Sequence, residues 1–175
     1  MTTSTRTYLT VIAVTMFVTS VIAGAVAAPA KGEKSDKPVT FSGSFQGHED
    51  DVLQGNPPTA IAVDGRAEGI ATHLGRFTWT WNVTVMLPIG SATGSGQLTA
   101  ANGDTIDATI VGQGDPTDTP GLNRIVEIAT ITGGTGRFSN AQGSFTLERL
   151  VDLNTGLTSG SFQGTVSSLG APVRK

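Results

Sequence analysis

The sequence predicts an all-β protein, an eight-stranded antiparallel β-barrel preceded by a cleavable signal peptide. Three observations support this prediction. From residue 39 onward, short runs rich in Thr, Val, Ile and Phe are separated by Gly, Asn and Asp, a pattern typical of strands and turns. One run, RFTWTWNVTVM, alternates strictly between apolar and polar residues. The pentapeptide GSFQG occurs in both the first and the last predicted strand.

The N-terminal segment has the composition of a secretory signal peptide. No charged residue occurs between Arg6 and Lys31, and the apolar run in this interval ends in small residues at A-x-A spacing. A retained membrane anchor is the alternative, because the run is nearly long enough to span a bilayer. The predicted organisation is a signal peptide over 1–30, a flexible leader over 31–38, one β-barrel domain over 39–170 and a tail over 171–175.

The remaining chain is mildly acidic. Without Arg6 it has ten basic and fourteen acidic residues and no Lys/Arg run, which argues against a nucleic-acid partner. The absence of cysteine excludes thiol catalysis and cysteine-ligated zinc, and we expect no cofactor and no metal site. The protein is predicted to be extracytoplasmic, secreted or periplasmic, with no membrane association after cleavage.

Each predicted strand lies between turn-forming residues. Asn102-Gly103 supplies the positive φ that a tight hairpin turn needs between two of them. In the RFTWTWNVTVM run, Phe77, Trp79 and Trp81 lie on one face with two valines, as in a strand that is half buried. The predicted strands are Val39–Gly47, Ala60–Ala71, Gly75–Met86, Gly94–Ala101, Thr105–Val111, Arg124–Thr132, Arg137–Glu148 and Thr158–Ser168.

Eight strands with short links fit either a closed barrel or a sandwich. The repeated GSFQG, at Gly43–Gly47 and Gly160–Gly164, favours the barrel. A closed barrel must pair its terminal strands so that no free edge remains, and similar terminal strands are consistent with such pairing.

The glycine-rich stretch ITGGTGRFSNAQGSFTLE, residues 131–148, has two interpretations. A phosphate-binding loop requires a helix N-terminus after the glycines and usually a lysine. Neither follows here, and Ser139 occupies the third glycine position of G-x-G-x-x-G. The stretch therefore predicts a tight connection between antiparallel strands, with Gly143 at a bend or bulge in the second strand.

This stretch resembles the G-G-T-G-x-F-x-x-A-x-G segment of the allene oxide cyclase and dirigent proteins. The positions that match are Gly133, Gly134, Thr135, Gly136, Phe138, Ala141 and Gly143. The GIATHLGRFT stretch looks like a strand and turn found in small bacterial secreted proteins of that barrel type, mostly of unassigned function. The resemblance implies an eight-stranded antiparallel barrel with an apolar cavity and, by analogy, a homo-oligomer. It transfers no catalytic residue.

The resemblance implies two kinds of activity for such a barrel. Resemblance to the cyclases implies an isomerase that holds an apolar epoxide in the barrel, where a buried carboxylate steers the developing charge. Resemblance to the dirigent proteins implies a barrel that guides radical coupling and uses acidic residues in its cavity. A small apolar ligand is the expected partner. The residues predicted to line its site are the aromatic side chains of two predicted strands, Phe77, Trp79, Trp81, Phe138 and Phe145.

Glu127 and His73 are the candidate catalytic residues. Glu127 shares a strand face with Ile125, Ala129 and Ile131, where a carboxylate would be desolvated and its pKa raised. The alternatives are an outward-facing Glu127, or an ion pair with an arginine at position 124, 137 or 149. His73 lies at a strand end and could act as a base, although a turn histidine whose ring bonds a backbone carbonyl is favoured.

The segment HEDDVLQGNPPT, which begins at His48, is predicted to be a solvated loop. Its acidic residues could contribute to a metal site, but neither metal-ligand spacing of histidines nor a calcium-loop pattern occurs. Three functions therefore remain open: a non-catalytic barrel that binds or guides a small apolar ligand, which is favoured, a cyclase-like isomerase, and a structural or surface-interaction module with a filled interior.

Overall fold

The computed structural model describes residues 37–167, so the predicted signal peptide, nearly all of the leader and the tail lie outside the described residues. Eight antiparallel strands close into a barrel in the order β1 to β8, which confirms the predicted fold class. The strands are β1 Val39–Gln54, β2 Ala60–Ala71, β3 Gly75–Met86, β4 Ser91–Ala100, β5 Thr105–Pro116, β6 Leu122–Gly134, β7 Gly143–Asp152 and β8 Leu157–Val166. Within 37–167 no helix is long and apolar enough to cross a membrane.

The repeated GSFQG sequences pair with each other and close the barrel. β1 runs antiparallel to β8, so that Gly43 lies opposite Phe162 and Phe45 lies opposite Gly160. Each inward-facing phenyl ring therefore has a glycine as its cross-strand partner. This arrangement of large beside small side chains fits the narrow interior of an eight-stranded barrel.

The prediction of a solvated loop after Gly47 is wrong, because β1 continues to Gln54. Its second half pairs with β2, where Glu49 lies opposite Gly65 and Gln54 opposite Ala60. Cross-strand backbone pairing thus overrides the low strand propensity of HEDD. β7 also begins later than predicted, at Gly143, after a short 3₁₀ turn over Gly136–Phe138.

One end of the barrel is closed by side chains. Phe138, on the turn between β6 and β7, is fully buried together with Ala141. Leu74, from the turn between β2 and β3, is buried at the same end. Next to these residues in the core, the ring centroid of Phe162 lies 4.9 Å from that of Phe41 and 5.0 Å from that of Phe145. The core at this end is therefore an interlocked set of aromatic rings.

The opposite end is more open. Along β1, burial of the inward-facing positions decreases from Glu49, which is 6% exposed, to Leu53, which is 63% exposed. Val83 is buried, whereas Val85, the next inward position on β3, is only partly buried. Ile61 on β2 is likewise partly buried. We refer to this end, lined by Leu53, Ile61 and Val85, as the mouth.

Candidate functional site

Among residues 37–167, four polar side chains are buried inside the barrel: Glu49 on β1, Glu127 on β6, Arg149 on β7 and Thr158 on β8. Each occupies an inward-facing position because side chains alternate along a strand. The chain thus places an ion cluster where apolar residues are the rule. We call Glu49, Glu127, Arg149 and Thr158 the polar cluster.

Arg149 is the centre of the polar cluster. Its Nε donates to Oε2 of Glu127 at 3.1 Å, and its Nη1 donates to Oε2 of Glu49 at 2.6 Å and to Oγ1 of Thr158 at 3.2 Å. The Thr158 hydroxyl in turn donates to the carbonyl oxygen of Leu150 at 2.9 Å. One guanidinium therefore joins two carboxylates from strands that do not pair with each other.

Trp81 packs against the polar cluster from the other side of the barrel. Its ring centroid lies 5.5 Å from Cζ of Arg149, a distance at which a guanidinium is attracted to an indole face. Glu49, Gly65 and Trp81 are direct neighbours across β1, β2 and β3. A Cβ at Gly65 would overlap the Trp81 indole, so glycine at this position makes room for the ring.

Two buried polar atoms of this region have no hydrogen-bond partner within residues 37–167. They are Oε1 of Glu127 and Nε1 of Trp81. Glu127 is 2% exposed, so its free oxygen acceptor is removed from bulk water. A buried polar atom without a partner costs on the order of 1–3 kcal/mol. Such atoms mark a place where a bound molecule would gain hydrogen bonds.

Burial dominates the electrostatics of the carboxylates near the mouth. Desolvation raises the pKa of Glu49 above its usual value, because it outweighs the attraction of Arg149. Desolvation also raises the pKa of Asp51, the next inward-facing residue on β1. For Arg149 desolvation acts to lower the pKa, but the carboxylates of Glu127 and Glu49 outweigh it, and the net pKa is raised. Arg149 is therefore a permanent cation among acidic groups.

A small open groove of about 230 Å³ reaches one member of the polar cluster, Glu49, from outside. It is lined by β1 residues that include Glu49 and Asp51, and by the turn between β7 and β8. The backbone N–H of Glu49 donates to the carbonyl oxygen of Gly156 in that turn at 2.9 Å. The side chains of His48 and Asp50 face outward, and Nδ1 of His48 lies 3.8 Å from Oδ1 of Asp50. Within 37–167, no group of three His, Cys, Asp or Glu side chains could hold a metal ion.

The structure places the two candidate catalytic residues apart. Glu127 faces inward and pairs with Arg149, one of the three arginines named as alternatives. His73 lies in the turn between β2 and β3, at the closed end, where its Nε2 is 3.1 Å from the carbonyl oxygen of Thr40. Its backbone has a positive φ of 65°. His73 is thus a turn residue that makes no contact with the polar cluster.

The predicted ligand-lining aromatic residues divide between the two halves of the interior. Phe77, Phe138 and Phe145 are buried in the core, and Phe138 and Phe145 lie at its closed end. Trp81 borders the polar cluster, and Trp79 packs on Trp81 with ring centroids 5.0 Å apart. Of the five, Trp81 is therefore the one that contacts Arg149, and Trp79 packs on Trp81.

Sequence reasoning missed Glu49 as a member of the site and treated Arg149 only as an alternative partner of Glu127. Glu49 stands in HEDD, which predicts a loop because four polar residues follow one another. The available signal was spacing: Phe41, Phe45 and Glu49 share one strand face if the strand continues. An acidic residue in phase with buried phenylalanines indicates a buried carboxylate.

Comparison with known proteins shows similarity in structure. No known family model and no curated protein sequence matches the chain significantly. Among solved structures, the pterocarpan synthase dirigent protein GePTS1 is similar with a TM-score of 0.59 and 15% sequence identity, over 85% of this chain and 99% of that one. At this level of identity the similarity establishes the fold alone: the chain forms an eight-stranded barrel similar in fold to that of GePTS1.

Proposed function

We propose that this protein is a secreted or periplasmic barrel that binds or guides a small, largely apolar ligand in the mouth half of its interior. The observation that carries the proposal is the pair of unsatisfied buried atoms, Glu127 Oε1 and Trp81 Nε1, beside a charged cluster. Sites for small molecules typically combine apolar walls with a few convergent polar groups. Trp79, Trp81 and Val83 supply such walls here.

Two further features support a ligand in the mouth half. The closed end is filled by aromatic rings, whereas burial decreases toward Leu53 and Val85. The similar structure, GePTS1, is described as a pterocarpan synthase and a dirigent protein. A guiding role needs a ligand held in one orientation, and the fixed charges of the polar cluster would provide that orientation.

The test uses N-phenyl-1-naphthylamine, a neutral apolar dye whose fluorescence rises in apolar surroundings. Saturable binding of one dye per barrel is expected. Val85→Trp places a bulky ring in the mouth and should abolish binding, whereas Thr84→Trp, which places the same ring on the outer face of β3, should not. Two open grooves of about 710 and 840 Å³ lie on the outer surface of the barrel. Equal dye binding by both variants would assign the dye to such a groove and contradict the proposal.

A cyclase-like isomerase is the second candidate. The observation that favours it is the free oxygen of Glu127, which lies in a desolvated setting while Arg149 holds the other oxygen at 3.1 Å. A carboxylate fixed in this way can steer developing positive charge or move a proton. If an isomerisation is found, Glu127→Gln should reduce its kcat by at least about 100-fold. His73→Asn, at the closed end, should leave kcat unchanged.

A further inference from the structure

We propose that the polar cluster, together with Trp81, receives the ammonium group of a small organic amine whose apolar body lies toward the mouth. This inference rests on the proposed function, since it assumes that the interior holds a ligand. It names the chemical class of that ligand, which the proposed function leaves open.

The balance of charge inside the barrel is the first reason. Among the inward-facing positions of the eight strands described, the buried acidic residues are Glu49 and Glu127, the only buried basic residue is Arg149, and Asp51, nearer the mouth, is exposed. Glu49 and Glu127 both bond to that guanidinium. A buried charge is costly unless an opposite charge balances it. A ligand cation would supply the missing positive charge, whereas a neutral or anionic ligand would not.

The free hydrogen-bonding atoms are the second reason. Glu127 Oε1 is a buried acceptor to which no donor of residues 37–167 bonds, and an ammonium group carries up to three N–H donors. Charge-assisted hydrogen bonds of this kind are about twice as strong as neutral ones. Trp81 Nε1 is a buried donor that finds no acceptor in the described part of the chain, so an amine that also carries an oxygen would satisfy both atoms.

The aromatic wall is the third reason. The indole of Trp81 already has the guanidinium of Arg149 over its ring at 5.5 Å. Trp79 packs on Trp81 at 5.0 Å between ring centroids. Indole rings attract ammonium groups more strongly than they attract neutral groups, because the ring face is negative. The walls beside the polar cluster therefore favour the same ligand class as its charges.

The groove that reaches the polar cluster at Glu49 also favours a cationic ligand. The groove of about 230 Å³ that reaches Glu49 is lined by three acidic residues, Glu49, Asp50 and Asp51, and by one histidine, His48. A cleft lined by one sign of charge concentrates ions of the opposite sign. An organic cation would therefore be enriched at the entrance as well as bound inside.

The experiment compares three probes that share a benzyl body, using the full chain at pH 7. The probes are benzylammonium, benzyl alcohol and benzoate, and isothermal titration calorimetry measures their dissociation constants. We expect benzylammonium to bind at least tenfold more tightly than benzyl alcohol, and benzoate to bind more weakly than either. Glu127→Gln should remove the preference for the ammonium probe. The control Glu68→Gln removes one exposed carboxylate from the outer face and should leave the preference unchanged.

Each outcome decides the proposal. If benzyl alcohol binds as tightly as benzylammonium, the ammonium inference is overturned while the proposed function stands. If none of the three probes binds, both are overturned. If Glu127→Gln keeps the preference, the cation binds elsewhere and the inference is again overturned. Should Glu127→Gln lack the wild-type circular dichroism spectrum, Glu49→Gln, which removes one negative charge from the same cluster, is measured with the same expectation.

Discussion

Replacing Arg149 by methionine tests whether the polar cluster is held together by one cation. Methionine keeps much of the side-chain length and remains apolar, but it removes the groups that donate to Glu49, Glu127 and Thr158. Both carboxylates would then lie inside the barrel at 6% and 2% exposure without a cation. The variant therefore isolates the cost of uncompensated buried charge.

The expected loss is large for a single substitution. Removing one partner of a buried ion pair costs about 3–5 kcal/mol, because the remaining charge is left without compensation. For a domain of about 130 residues, an unfolding entropy near 2.1 cal/mol/K per residue converts this loss into a decrease in Tm of roughly 11–18 °C. Arg124→Met is the matched control. Its ion pair with Glu148 has the same chemistry, but both side chains are more than half exposed, so the loss should be below about 1 kcal/mol.

The assay is urea denaturation followed by tryptophan fluorescence, with thermal unfolding as a second measurement. The way in which the loss of unfolding free energy changes with pH provides a second check. Burial raises the pKa of Glu49, so acidification protonates this carboxyl in the folded Arg149→Met protein and removes its charge. The difference in unfolding free energy from the wild type should therefore shrink by more than half between pH 7 and pH 4. A loss below 1 kcal/mol, a loss equal to that of Arg124→Met, or a loss independent of pH would refute the reasoning.

Three further predictions follow from the same interior. Burial raises the pKa of Glu49 above 4.5 in the folded state, so the folded protein holds a proton on this carboxyl at pH values where the unfolded protein has lost it. The unfolding free energy of the wild type should therefore fall as the pH rises from 4.5 through the raised pKa. Glu49→Gln should remove this fall in the unfolding free energy, which is measured by urea titrations at several pH values between 4 and 7. An unchanged dependence of the unfolding free energy on pH would contradict the prediction. Gly65→Ala should cost about 1–3 kcal/mol and change the near-ultraviolet circular dichroism, since its methyl group overlaps the Trp81 indole. Gly114→Ala, which meets only the flexible Cδ1 of Ile125, should cost less than half as much. Phe162→Ala should cost about 3–5 kcal/mol in the same assay, because its ring touches three other phenyl rings, and a loss below 1 kcal/mol would show that the closed end is loosely packed.

Much of the architecture could be predicted from local patterns. The bounds of β2 and β3 agree with the predicted ones, since alternation from Phe77 to Val85 and the glycine at each turn are local properties of the chain. The repeated GSFQG indicated closure, and its two copies do pair. The glycine-rich stretch at residues 131–148 is a strand, a turn and a strand, in agreement with the missing helix and lysine.

The candidate site was less predictable, because its members come from distant parts of the chain. Glu49 and Arg149 are 100 positions apart and meet only when β8 brings β1 beside β7. The second half of β1 is a strand because β2 offers it backbone partners, which no local propensity of HEDD reveals. Glu127 was recognisable by its apolar neighbours, but its partner could have been any of three arginines.

The strand pattern, the turns and the sets of residues that share a face follow from local features of the chain, because they depend on periods of two residues and on glycine at particular turns. Three features depend on the closed barrel instead: which face of each strand is interior, the filling of the aromatic half, and the position of Arg149 between two carboxylates. The physical reason is that closure of the barrel brings together side chains whose separation in sequence carries no record of their distance in space. Charge, burial and unsatisfied hydrogen bonds arise from that closure.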